Sequence, residues 1–111
     1  MNPNELYRKI VEAGDDWADK ECAASMLEEA RKSLISQIAT TDFANESAVK
    51  AEMLARASKQ FKEYIVNMCK ARREANKAKV RYMALHSSIK QEQHLGIMQA
   101  AERKAEKEYT T

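Results

Sequence analysis

The sequence predicts an all-α protein: a long antiparallel helical hairpin, coiled-coil-like, completed by dimerisation. Three observations carry this. An apolar stripe, Leu54, Ala57, Phe61, Tyr64, Met68, Ala71, Ala75, Ala78, Tyr82, Leu85 and Ile89, steps alternately by three and four residues without a miss. That is the a/d seam of a helix made to lie against other helices. The 111 residues include only two glycines (Gly14 and Gly96) and one proline (Pro3), too few turn formers for an all-β or α/β fold. Finally, only seven residues are aromatic, so a monomer's core is thin, and thin helical cores are commonly completed by oligomerisation.

The chain reads as one helical domain over residues 1–111. A first helix over about residues 3–39 opens at Asn2 as N-cap with Pro3 in the first helical position. Its inward stripe is Leu6, Ile10, Ala13, Trp17, Ala24, Leu27, Leu34 and Ile38. Lys20 and Arg31 fall on that stripe; either they snorkel or the stripe shifts to Ala23 and Ala30. Gly14 weakens this helix by about 1 kcal/mol relative to alanine, which does not end it. A connection over about residues 40–46, Thr40-Thr41-Asp42-Phe43-Ala44-Asn45-Glu46, leads to an N-cap at Asn45 or Ser47. Phe43 is expected to fold back over the hairpin end.

A long second helix follows over about residues 47–95, spanning roughly 70 Å. A polar helical tail over about residues 97–109 ends the chain, with like-charged i,i+4 neighbours such as Glu102/Glu106 and Arg103/Lys107. A three-helix arrangement with a break near Gly96 or earlier also fits the pattern. In a simple hairpin, position i lies beside about 86 − i. Leu6 then meets the region of Val80, and Tyr82, Leu85 and Ile89 continue the seam with no partner in the chain. That overhang is the reason to expect a homodimer formed through the second helix. Ala71, Ala75 and Ala78 would allow close backbone approach.

Net charge is +2 overall, but it is unevenly spread. Residues 1–53 carry six Lys/Arg against eleven Asp/Glu, and residues 54–111 carry thirteen against six. Lys70, Arg73, Lys77 and Arg81 share one stripe of the second helix. A stripe of this kind can follow a phosphate backbone. The structural alternative is that Glu12, Asp15, Asp16 and Asp19, expected beside about positions 67–74, pair with it. No helix-turn-helix or zinc-finger pattern accompanies the stripe.

Other chemistry is sparse. Glu12, Asp15, Asp16 and Asp19 share a face but lack a second acidic cluster or a Glu-x-x-His pattern, so solvated acids are expected rather than a metal site. His86 and His94 stand eight apart, not at the i,i+4 spacing of a metal pair. Cys22 and Cys69 match no metal spacing and read as reduced, buried, inert thiols. No triad, phosphate-binding glycine loop or acid/base pair is legible. The expectation is a protein that is not an enzyme and needs no cofactor. No secretory n- and h-regions precede the first helix and no apolar run spans a membrane, which suggests the cytoplasm.

Helical hairpins of the WXG type carry Trp-x-Gly in the connecting turn, where this chain has Asp42-Phe43-Ala44. The texture of residues 52–108, notably Ala57-Ser58-Lys59-Gln60-Phe61-Lys62-Glu63-Tyr64 and Ala75-Asn76-Lys77-Ala78-Lys79-Val80, resembles small helical proteins of phage and prophage genomes. That resemblance covers half the chain and implies an accessory protein of phage DNA metabolism or assembly, with no activity attached. Two functions follow from these features: a helical interaction or adaptor protein whose partners are itself and another helical protein, or a sequence-nonspecific nucleic-acid-binding accessory protein.

Overall fold

The computed structural model describes residues 2–110, with side chains as far as residue 107. Met1, Thr111 and the side chains of Glu108 and Tyr109, at the end of the expected tail, lie outside it. Three helices follow in order: α1 (Pro3–Asp42), α2 (Ala48–Ala57) and α3 (Lys59–Thr110). α1 and α3 are the antiparallel arms of a hairpin measuring 93 × 22 × 15 Å. Its radius of gyration of 25.5 Å is about twice the ~13 Å of a compact domain of this length.

The helix starts follow local chemistry. The Glu5 N–H donates to Asn2 Oδ1 at 2.8 Å, with Pro3 in the first turn; proline there removes a donor that has no intrahelical partner anyway. Of the two candidate caps after the turn, Ser47 is used: its Oγ accepts from the Lys50 N–H at 3.3 Å. The connection is shorter and later than expected, because α1 runs on to Asp42. Within that last turn the Thr40 hydroxyl donates back to the Ser36 carbonyl at 2.9 Å, which satisfies the hydroxyl within the helix.

The expected continuous second helix is broken at Ser58, and not near Gly96, which α3 crosses unbroken. Ser58 takes an extended conformation (φ −66°, ψ 150°) and closes both helix ends with one hydroxyl. Its Oγ donates to the Ala55 carbonyl at 2.6 Å and accepts from the Phe61 N–H at 3.2 Å. It thus serves as C-cap of α2 and N-cap of α3.

The break moves the register. Tyr64 bonds the Leu27 carbonyl, Arg72 reaches Glu21 and Glu28, Arg81 reaches Asp16, and the Trp17 and Tyr82 rings meet. Position i therefore lies beside about 96 − i, ten residues further along than the simple hairpin predicts. Leu6 is buried near residue 90 rather than beside Val80, which is itself 67% exposed. Tyr82, Leu85 and Ile89 consequently have α1 as their partner, and the overhang begins near residue 93 instead of 80. The argument for a dimer drawn from those three residues no longer applies.

The core is thin and mostly alanine. Ala13, Ala24, Ala51, Ala55, Ala75 and Ala78 are buried, alongside Leu6, Ile35, Ile38 and Phe61. Small side chains bring two helix backbones close, at the cost of little apolar area per turn. Apart from Leu6, the larger buried residues collect at the hairpin end, where Ile35, Ile38, Ala55 and Phe61 form a cluster covered by Leu34, Phe43 and Ile65. Phe43 thus folds back as the sequence suggests. On α1 the stripe does not shift: Ala23 and Ala30 are exposed, and Lys20 is half-buried with its Nζ 3.0 Å from Asp16.

Candidate interaction faces

The seam residues are turned toward the hairpin's own interior. Phe61, Ala75 and Ala78 are buried; Leu54, Tyr64, Met68, Ala71, Tyr82, Leu85 and Ile89 are half-buried; Ala57 is exposed, its place taken by Ala55. Tyr82 is the centre of the upper seam. Its ring lies 5.4 Å from that of Trp17 and 6.0 Å from that of His86, and Lys79 Nζ stands 5.9 Å from the Trp17 centroid. Gly14 sits opposite, where an added Cβ would stand 3.4 Å from the Tyr82 ring. A tyrosine and a tryptophan therefore fit at one level of an otherwise alanine-spaced seam.

At mid-rod, Arg72 clamps α3 to α1. Its Nη1 is 2.6 Å from Glu21 Oε2, its Nε donates to Glu28 Oε2 at 3.1 Å, and its Nη2 bonds Glu28 Oε1 as well. The guanidinium fork suits such bidentate carboxylate recognition. The hydrogen bond from Arg72 holds the Glu28 carboxyl below its ordinary pKa, and Glu28 and Glu21 together push the Arg72 guanidinium up. Glu21 and Glu28 went unremarked in the sequence. The signal was there, two glutamates one heptad apart flanking Ala24, but it acquires a partner only with the correct register.

The basic stripe divides in two. Arg81 lies 3.7 Å from Asp16, and Lys77 lies 3.6 Å from Glu74 on its own helix. Lys70 and Arg73 are exposed and, among the described residues, have no carboxylate partner. The acids expected beside positions 67–74 lie nearly three turns further along α3, beside about residues 77–84. Of these only Asp16 reaches across. Glu12 approaches Arg8 at 3.9 Å, and Asp15 and Asp19 point to solvent.

Cys22 and Cys69 are both exposed, a correction to the buried thiols expected. Each falls about a third of a turn or more from its helix's inward stripe, so the helix period turns it out. His86 and His94 are exposed and are not brought together. Among the described residues no group of three or more His, Cys, Asp or Glu is placed to hold a metal, and no helix is long and apolar enough to cross a membrane. A shallow groove runs between the end of α1 and α2, floored by Ile35, Ala39, Phe43 and Ala51.

Comparison with protein-family models, curated proteins and solved structures returned no match.

Proposed function

We propose that the protein is a non-enzymatic helical interaction module of the cytoplasm that associates with itself, working through the outer faces of its hairpin rather than through its seam. The observation that carries this reading is the outer side of α3, where Lys70 and Arg73 stand exposed and, among the described residues, without carboxylate partners, while the seam beside them is turned toward α1. A rod with so thin a core has most of its side chains at the surface, and its outer faces are its largest features. Sedimentation velocity over a wide concentration range at low and high salt tests the reading. Concentration-dependent growth at low salt supports it; one monomeric species throughout rejects it.

A second reading is favoured by one specific finding: Lys70 and Arg73, half of the stripe, have no carboxylate partner among the described residues, while Arg81 pairs with Asp16 and Lys77 with Glu74. Lys70, Arg73, Lys77 and Arg81 then follow a phosphate backbone, with affinity falling steeply as salt rises. Fluorescence anisotropy with labelled single-stranded and duplex DNA tests this; no salt-sensitive binding to either excludes it. An accessory role in phage DNA metabolism or assembly, as the resemblance of residues 52–108 implies, is compatible with both readings.

A further inference from the structure

The two outer faces of the hairpin are opposite in sign. The face of α3 turned away from α1 carries Lys62, Lys70, Arg73 and Lys77 around Val66 and Val80, which are 62% and 67% exposed. The face of α1 turned away from α3 carries Asp15, Asp19 and Glu29 near Val11 and Met26, 60% and 65% exposed. Among the described residues Lys62, Lys70 and Arg73 have no carboxylate partner, and Asp15, Asp19 and Glu29 have no cation. Apart from Lys77, which Glu74 approaches, each face is thus a set of charges, interleaved with apolar side chains, that the chain itself leaves uncompensated.

The register sets these faces at matching heights along the rod. Arg81 touches Asp16, and Lys79 lies over Trp17. Asp15 and Asp19 therefore stand level with Arg81 and Lys77, and Met26 stands level with Lys70. A second copy moved sideways by the width of one hairpin, without rotation, brings its Asp15 and Asp19 onto Arg81 and Lys77 of the first, and its Glu29 within a turn of Lys70.

We infer that copies of this chain pack side by side, the acidic outer face of α1 in one copy against the basic outer face of α3 in the next. This rests on the self-association proposed above and specifies its geometry. The contact is heterologous: the two surfaces differ, so every added copy leaves one face open at each end, and the assembly extends as a row instead of closing as a two-fold dimer. Exposed ion pairs are individually weak and screened by salt, so the row forms at low ionic strength and high concentration and disperses as salt rises.

Two double variants test it: Asp15→Asn with Asp19→Asn, and Arg73→Gln with Lys77→Gln. All four positions are exposed, and far-UV circular dichroism and thermal melts verify that folding is retained. Sedimentation velocity at low salt should show the wild type growing with concentration and each variant alone weakened by about fivefold or more, the scale of two exposed ion pairs. The equimolar mixture is the decisive sample. Each variant keeps the face the other lacks, so the mixture should give a one-to-one complex that grows no further. If the variants alone associate like the wild type, or the mixture is no larger than its components, this geometry is overturned while self-association stands. A wild type that is monomeric at all concentrations overturns both. A wild type that is monomeric until duplex DNA is added, with the shift lost in the Arg73/Lys77 variant, replaces this interface with the nucleic-acid reading.

Discussion

The two ends of the rod are made of the same kind of helix but are held in different ways. At the closed end α1, α2 and α3 converge, and Phe61 is 6% exposed among Ile35, Ile38 and Ala55. At the open end α3 continues alone from about residue 93 to Thr110, with Leu95 56%, Ile97 69% and Met98 48% exposed. The closed end is helical because it packs. The open end is helical because alanine, glutamate, lysine, arginine and glutamine favour the state and the costly first turn is already formed upstream. Helical structure on its own is therefore no sign of a core in this chain.

Breaking the closed end should have the largest effect. Phe61→Ala removes the one aromatic side chain of the buried cluster and should cost about 3–5 kcal/mol, read as a lowered urea midpoint. A result under about 1 kcal/mol would mean that the closed end is no better packed than the rest. Next comes Ala75→Leu, at a seam position where Ala75 is fully covered; overpacking should cost about 1–3 kcal/mol, seen as a lower melting temperature. Ser58→Ala takes away the hydroxyl that caps both α2 and α3, and a loss of about 1 kcal/mol in the same denaturation assay is expected.

Two smaller effects sharpen the contrast. Glu28 has its carboxyl pKa lowered by Arg72, so the stabilisation it brings is present above the ordinary carboxyl pKa and is lost as pH falls through the lowered value. The melting temperature of the wild type should exceed that of Glu28→Gln at neutral pH, and the gap should shrink on acidification below about pH 4. Gly96→Ala, at a site with nothing within 4 Å of an added Cβ, should leave the urea midpoint unchanged. It should raise the tail's helical signal in circular dichroism, since alanine favours a helix interior by about 1 kcal/mol over glycine. A shifted midpoint would tie the tail to the core.

Much of the fold could be read because it is set locally. Asn2 with Pro3, Ser47, and Phe43 beside a turn each announce their role within a few residues, and the three-four stripe announces the helix face. Ser58 could not be read because the stripe passes through it: Leu54, Ala57 and Phe61 keep the period even though Ala55, not Ala57, is the buried residue. The register failed for the same reason, since a ten-residue α2 beside the end of α1 moves the hairpin's centre from about residue 43 to about residue 48. With it went the partners of Tyr82 and the Arg72 clamp, which depend on pairing across 44 to 65 residues of chain. The outer faces sat in between. Their charges were plain in the sequence, but whether they were internally paired depended on that register.

The alanine spacing of the seam also has a mechanical consequence. Pro3 and the stretch of α3 near residue 93 emerge at the same end of the rod, so tension between them loads the seam from the open end one turn at a time. Alanine turns at Ala13, Ala24, Ala75 and Ala78 resist with little more than methyl groups, interrupted by half-buried larger side chains, the Trp17–Tyr82 rings and the Arg72 clamp. Pulled this way the hairpin peels like a zipper under a low, stepped force, and the knot around Phe61 is the last part to yield.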